Sequence, residues 1–317
     1  MMIERSILIA TRGSALALAQ ANMVLAECRA KFPSLVFALK IIKTTGDRLQ
    51  SVSMSRIDAN LPRGLFTKEL EIALLESKAD VAVHSLKDLP TQLPDGLKLG
   101  AVAGQRADVR DVFIYRDAFK PKTKLADFPP GLTVSTSSTR RKAQILARRP
   151  DFKVVEIRGN VPTRLQKLAR QPEIDATILA AAGLGRLQIQ ITADGRLKGG
   201  DAPDGLAATI LETDEMLPCV GQGAIGLEIR EHDERMAGIC QRLNDDETFC
   251  CVTSERALLL AMGGGCQTPV GAHAHIDSGM LCLRAVSFLT DRPRRAEGRG
   301  PLSEAAALGE QVAAQLL

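Results

Sequence analysis

Apolar, β-branched runs alternate along the chain with amphipathic helical stretches, the pattern of an α/β protein. Residues 6–11 predict a short buried strand. Ser14 opens a helix to about residue 31 that Pro33 closes, with Leu16, Ala17, Gln20, Val24 and Leu25 on shared faces. Residues 37–44 predict a strand, and 66–77 a helix with Leu70, Ala73 and Leu74 at helical spacing. Residues 79–84 predict a strand that runs into the polar turn Ser85-Leu86-Lys87-Asp88-Leu89-Pro90. A second block repeats this logic: strand 132–135, helix 140–148, strand 153–157, a helix around 163–168, and strand 175–179. Residues 192–205 hold two turn clusters and read as a loop or insertion. A helix over 253–262 precedes Gly263-Gly264-Gly265-Cys266. Alternation over 280–288 and a final helix complete a small α+β module.

At 317 residues the chain exceeds one ordinary core, and about 150 residues per domain suggests two or three. Aromatic residues are few, nine Phe, one Tyr and no Trp, so the core rests mainly on aliphatic side chains. Stacking platforms for nucleic acid are correspondingly scarce, and no nucleic-acid partner is expected. No apolar run is long enough to cross a bilayer, and Glu4 offsets Arg5 where a leader peptide would be basic. A cytoplasmic address without membrane attachment is the expectation. The seven cysteines are odd in number and include no CxxC pair, which argues against a disulfide framework or a zinc site. No metal is expected. Net charge is a modest +4, but arginine collects in short groups such as Arg140-Arg141 and Arg158 with Arg164.

Three segments share one design: a strand, a tight polar turn, then a helix start that carries arginine. They are Thr11-Arg12-Gly13-Ser14, Thr136-Ser137-Ser138-Thr139-Arg140-Arg141, and Arg158-Gly159-Asn160 with Arg164. Helix N-termini offer unpaired N–H groups and partial positive charge, and arginine adds a planar fork that fits carboxylates. Ser and Thr are equally ordinary N-caps, so each segment alone reads either way. Asp88 ends a strand among basic groups, where a carboxylate stabilises a developing cation or simply forms a loop ion pair. Cys266 follows three glycines that leave its thiol approachable; an inert core cysteine is the other reading. His273-Ala274-His275 is explained by strand alternation.

Together these segments closely resemble the porphobilinogen deaminase (hydroxymethylbilane synthase) family. The matching stretches are Ile9-Ala-Thr-Arg-Gly-Ser, Gly64-Leu-Phe-Thr-Lys-Glu-Leu-Glu, Ala82-Val-His-Ser-Leu-Lys-Asp-Leu-Pro and Ser135-Thr-Ser-Ser-Thr-Arg-Arg. After them come Ile157-Arg-Gly-Asn-Val, Leu179-Ala-Ala-Ala-Gly-Leu, Val220-Gly-Gln-Gly-Ala and Gly264-Gly-Cys-Gln-Thr-Pro-Val-Gly. They occur in the family's order over almost the whole chain.

The resemblance implies two periplasmic-binding-protein-like α/β domains around a cleft plus a small α+β C-terminal domain. The implied boundaries are 1–104 with 222–242, 105–221, and 243–317. It further implies a transferase that condenses four porphobilinogen molecules onto a dipyrromethane primer joined to Cys266 by a thioether, then releases hydroxymethylbilane. Asp88 would be catalytic. Ser85, Lys87, Thr136, Ser138, Arg140, Arg141, Arg158 and Gly159 would hold the cofactor. Arg12, Ser14, Arg63, Phe66, Arg158, Arg164, Arg186 and Gln222 would bind substrate. A monomer is expected, with uroporphyrinogen-III synthase as a downstream partner.

The chain departs from the family over residues 47–63, the implied lid. Ala59 stands where the family commonly has Lys, and Pro62-Arg63-Gly64 replaces Gly-Lys-Gly. Residues 186–217 read as an insertion. A catalytically slowed or non-catalytic pyrrole- or anion-binding relative on the same scaffold is the alternative, and retention of Asp88 and Cys266 counts against it.

Overall fold

The computed structural model describes residues 6–48, 67–119, 124–265 and 267–317. It forms two compact units, Met1–Arg106 with Ala224–Val252, and Ala107–Gly223 with Thr253–Leu317.

The first unit opens with β1 (Ile7–Arg12), α1 (Ala15–Lys31) and β2 (Phe37–Ile42), then α2 (Thr45–Arg48), α3 (Lys68–Leu75), β3 (Val81–Ser85) and β4 (Leu97–Val102). Ser14 starts α1 as predicted: its Oγ accepts from Ala17 N at 3.3 Å. The helix ends at Phe32, just before Pro33, whose ring cannot continue it. The chain next builds β5 (Asp111–Arg116), β6 (Thr133–Ser135), α4 (Thr139–Arg148), β7 (Lys153–Val155), α5 (Val161–Arg170), β8 (Ala176–Ala180) and α6 (Ala181–Arg186). The hairpin β9 (Gln190–Ile191) and β10 (Leu197–Lys198) follows, then β11 (Leu206–Leu211). Strand β12 (Ile225–Arg230), α7 (Glu234–Leu243) and α8 (Asp246–Ala261) precede the C-terminal β13 (Val270–Asp277), β14 (Met280–Ser287), β15 (Arg294–Gly300) and α9 (Ala305–Leu316).

The first sheet has the order β2-β1-β3-β12-β4, and the second β7-β6-β8-β5-β11. In each, three parallel strands are followed by one antiparallel to both of its neighbours, β12 in the first and β5 in the second. This is the periplasmic-binding-protein-like α/β arrangement, and the three-stranded sheet β13-β14-β15 with α9 is the small C-terminal α+β element. Residues 186–217 are only partly an insertion, because β11 pairs with β5 over Leu206–Leu211 and belongs to the sheet.

Strand alternation decides what each face buries. In the first unit Ile7, Ile9, Val81, Val83, Leu227 and Ile229 pack with Val24, Leu25 and Cys28 of α1 and Met236, Ile239 and Cys240 of α7. The opposite face, Ala10 and Ala82, packs on Leu70, Ala73 and Leu74 of α3. Each such large aliphatic side chain contributes about 1.5–3 kcal/mol on burial. In the second unit the aromatics gather in the core: Phe128 meets Tyr115 and Phe113 edge-on at 4.7 and 4.8 Å between centroids. No helix among the described residues is long and apolar enough to cross a membrane.

Candidate active site

In the first unit β1 and β3 are parallel neighbours (Ile9↔Val81, Ala10↔Ala82), so their carboxyl ends emerge side by side. One end carries the turn with Arg12 and Ser14, the other the turn Ser85–Asp88. The two are tied through α1, since Ser85 Oγ donates to Gln20 Oε1 at 2.9 Å. Leu86–Asp88 makes one 3₁₀ turn, closed by Leu89 N donating to Leu86 O at 3.1 Å. Leu86 and Leu89 are buried and flank the half-buried Lys87 and the exposed Asp88. Two apolar anchors thus hold a carboxylate out to solvent on a short rigid turn, and no ion pair among the described residues engages it.

In the second unit β7, β6 and β8 are parallel neighbours, so the segments that follow them leave the sheet at one edge. Thr136 and Ser138 follow β6. Thr136 Oγ1 accepts from Ser138 N at 3.2 Å, and Ser138 caps α4 by accepting from Arg141 N at 3.4 Å. Arg140 and Arg141 turn inward, 3% and 6% exposed, onto the fully buried Asp111. Arg140 Nη1 lies 2.8 Å from Asp111 Oδ2, and Arg141 Nη2 lies 2.7 Å from Oδ1. Burial alone would raise the Asp111 carboxyl; the two guanidiniums outweigh it and hold the group well below the usual carboxylate range. Gln222, also buried, donates from Nε2 to Asp111 Oδ1 at 3.0 Å and Val109 O at 2.7 Å. The outward-facing carboxylate binders expected at 140 and 141 therefore have an internal carboxylate partner.

After β7, Gly159 adopts φ +113° and Asn160 caps α5, its Oδ1 accepting from Thr163 N at 3.0 Å. Arg164 Nε donates to Gly159 O at 2.8 Å and Lys167 Nζ to Arg158 O at 3.0 Å, so two basic side chains brace the turn. After β8, α6 carries Arg186, whose Nη2 donates to Gly223 O at 2.6 Å. Its Nε is buried and finds no hydrogen-bond partner among the described residues. Burial lowers this guanidinium to about 10.

Cys266, Arg63 and Phe66 lie outside the described residues, as do Ala59 and the rest of 49–66. On either side of Cys266 the backbone is defined: Gly265 N donates to Thr268 Oγ1 at 2.9 Å, and Gln267 O accepts from Thr139 Oγ1 at 2.6 Å. That last bond joins the segment after the cysteine to the first turn of α4. Glu255 of α8, fully buried, accepts from Gly221 N and Ala274 N, both at 2.8 Å. Asp111 and Glu255 were missed by sequence reasoning, because their partners are distant in the chain. His273 and His275 stack at 5.6 Å as same-face neighbours on β13.

Residues 7–238 match the family described as porphobilinogen deaminase, dipyromethane cofactor binding domain, and residues 249–317 match the porphobilinogen deaminase C-terminal domain. The chain is 43% identical over 317 residues to the porphobilinogen deaminase of Desulforudis audaxviator, covering 99% of this chain and 95% of that one. It is 43% identical to the porphobilinogen deaminase of Thermus thermophilus, covering 99% and 96%. Among solved structures, the BenM effector binding domain with benzoate is similar at a TM-score of 0.42 and 15% identity, over 76% of this chain and 92% of that one. That likeness is too loose to bear on function.

Proposed function

The chain belongs to the porphobilinogen deaminase family, and we propose that Asp88 and the arginine-bearing turns of its two α/β units are its catalytic and carboxylate-binding machinery. As a member it is a transferase of tetrapyrrole biosynthesis. It deaminates porphobilinogen, condenses four molecules head to tail onto a dipyrromethane primer, and releases hydroxymethylbilane by hydrolysis.

The primer, held by a thioether to Cys266, supplies when bound the nucleophilic ring carbon to which the next pyrrole joins. Each pyrrole ring bears an acetate and a propionate, so the site has to neutralise many carboxylates. The residues fit that demand. Arg186 presents a buried Nε without a partner among the described residues, and the capped helix starts at Ser138 and Asn160 add fixed N–H donors. By the family resemblance Ser85, Lys87, Thr136, Ser138, Arg140, Arg141, Arg158 and Gly159 would hold the primer. Arg12, Ser14, Arg158, Arg164, Arg186 and Gln222 would receive the incoming substrate. Arg63 and Phe66 keep the substrate-binding roles that the family resemblance gives them.

Loss of ammonia leaves an electron-poor methylene on the incoming ring. Asp88, an exposed carboxylate fixed by its apolar neighbours, stabilises that cation, accepts from pyrrole N–H groups and handles the proton in transit. The observation that carries this reading is the Thr139–Gln267 hydrogen bond, which ties the chain beside the anchoring cysteine to the arginine-bearing turn of α4. The three-domain division at 1–104 with 222–242, 105–221 and 243–317 belongs to the same proposal. So do a cytoplasmic monomer and delivery of product to uroporphyrinogen-III synthase. Turnover of porphobilinogen by Asp88→Asn tests the reading. A loss of about 10²-fold or more with an unchanged melting temperature is expected, whereas ordinary turnover would remove Asp88 from its role.

A further inference from the structure

The strand that leads to the Asp88 turn carries a buried group of titratable side chains that the roles above leave unused. On β3, Val81 and Val83 join the core against α1 and Ala82 the core against α3, so His84 faces α3 as well. There its Nε2 lies 2.9 Å from Glu228 Oε2, with the two side chains 4% and 0% exposed. Glu228 comes from β12, whose register pairs Gly226 with His84 and Glu228 with Ala82, so the contact runs diagonally across the ladder. From α3, the buried Glu71 completes the group. Burial pushes its carboxyl up, the Glu228 charge adds to that rise, and His84 opposes it. Glu228 Oε1 and Glu71 Oε1 are both buried without a hydrogen-bond partner among the described residues.

Such a group is a poor device for stability. Well-packed apolar side chains of the same volume hold a core at least as well as a buried polar pair does, whereas hydrogen-bonded polar groups fix direction and register. The position of this pair says which direction is fixed. His84 is the residue before Ser85, and the 3₁₀ turn that ends at Asp88 begins at Leu86. Leu86 N is itself bonded to Ala224 O at 3.1 Å, beside the start of β12. The strand that supplies Glu228 thus also grips the turn.

We propose that His84, clamped by Glu228, is a positioning residue for the reaction: it fixes the end of β3 so that the following turn aims the Asp88 carboxylate at the reacting ring. The proposal rests on the role given to Asp88 above.

Three variants of the full-length, primer-loaded protein test it, with kcat, KM for porphobilinogen, melting temperature and intact mass as readouts. His84→Leu keeps the primer and, because it leaves Glu228 buried without its partner, lowers the melting temperature; assayed well below that temperature, its kcat falls about 10–100-fold with KM within about twofold, as misplacement of a catalytic group demands. His84→Gln sets an amide N–H near the Nε2 position and restores most of kcat; Asp88→Asn runs beside them. A fully active His84→Leu, with Asp88→Asn inactive, overturns the proposal alone. Equal loss in the Leu and Gln variants also overturns it, since the hydrogen bond would then be irrelevant. A fully active Asp88→Asn removes the Asp88 reading and the proposal with it.

Discussion

Arg141 grips Asp111 with two nitrogens, Nη2 at 2.7 Å and Nε at 3.2 Å from the same Oδ1. Arg140 takes the other oxygen, and Gln222 shares the first. An arginine so held is stiff: with Nη1 donating to Ile178 O at 2.8 Å as well, its whole fork is committed to partners inside the second unit.

Asp111→Asn leaves two buried guanidiniums without their counter-ion and should destabilise the fold by about 3–5 kcal/mol. The Asp111 carboxyl titrates below its unfolded value, so its stabilisation is present above about pH 4 and is lost as pH falls through the lower folded value. Urea midpoints of parent and variant should differ widely at pH 7 and converge below pH 4. A gap that is constant with pH would contradict the pairing.

Arg186 behaves oppositely. Burial lowers it to about 10 with no carboxylate among the described residues to compensate, so below that pH the folded state carries the desolvation penalty of a cation. Arg186→Leu should leave the melting temperature unchanged or higher while raising KM for porphobilinogen about 10-fold or more, as loss of a charge-assisted hydrogen bond does. A lower melting temperature with unchanged KM would make Arg186 structural.

Gly159 has a backbone that L-residues rarely adopt, and a Cβ there would stand 2.6 Å from Thr163 Cγ2. Gly159→Ala should cost about 1–3 kcal/mol in strain. It should also raise KM, because Arg164 is braced on the Gly159 carbonyl. Steady-state kinetics beside thermal unfolding check both parts.

Local chemistry made much of this legible. Ser14 as a cap, the polar turn after β3 and the glycines before Cys266 all act within a few residues of themselves. What stayed hidden is long-range. Asp111 meets Arg140 across 29 residues and His84 meets Glu228 across 144, and nothing in local periodicity marks such partners. Strand β12 is hard to read from the sequence because its Gly226 and Glu228 break the apolar run, although both are buried between β3 and β4. The helix predicted at 253 begins at Asp246 instead, where Asp245 Oδ1 accepts from Thr248 N at 2.9 Å. That cap was readable in the sequence as an Asp preceding a helical stretch.

The core thiols should be inert. Burial pushes Cys28 up to about 11 and Cys240 up to about 12, and the thiolate is the reactive form. Iodoacetamide at pH 8 should leave both unlabelled in the native protein and modify both after unfolding in urea, as peptide mapping would show. Rapid native labelling of either would contradict the packing of α1 against α7.

The central claim is most directly tested by the intact mass of the purified protein beside a Cys266→Ala variant. The account predicts an added mass equal to a dipyrromethane on the parent chain and none on the variant, with the parent alone extending the adduct when porphobilinogen is supplied. A parent chain that stays unmodified after incubation with porphobilinogen, or a variant that carries the same adduct, would contradict it.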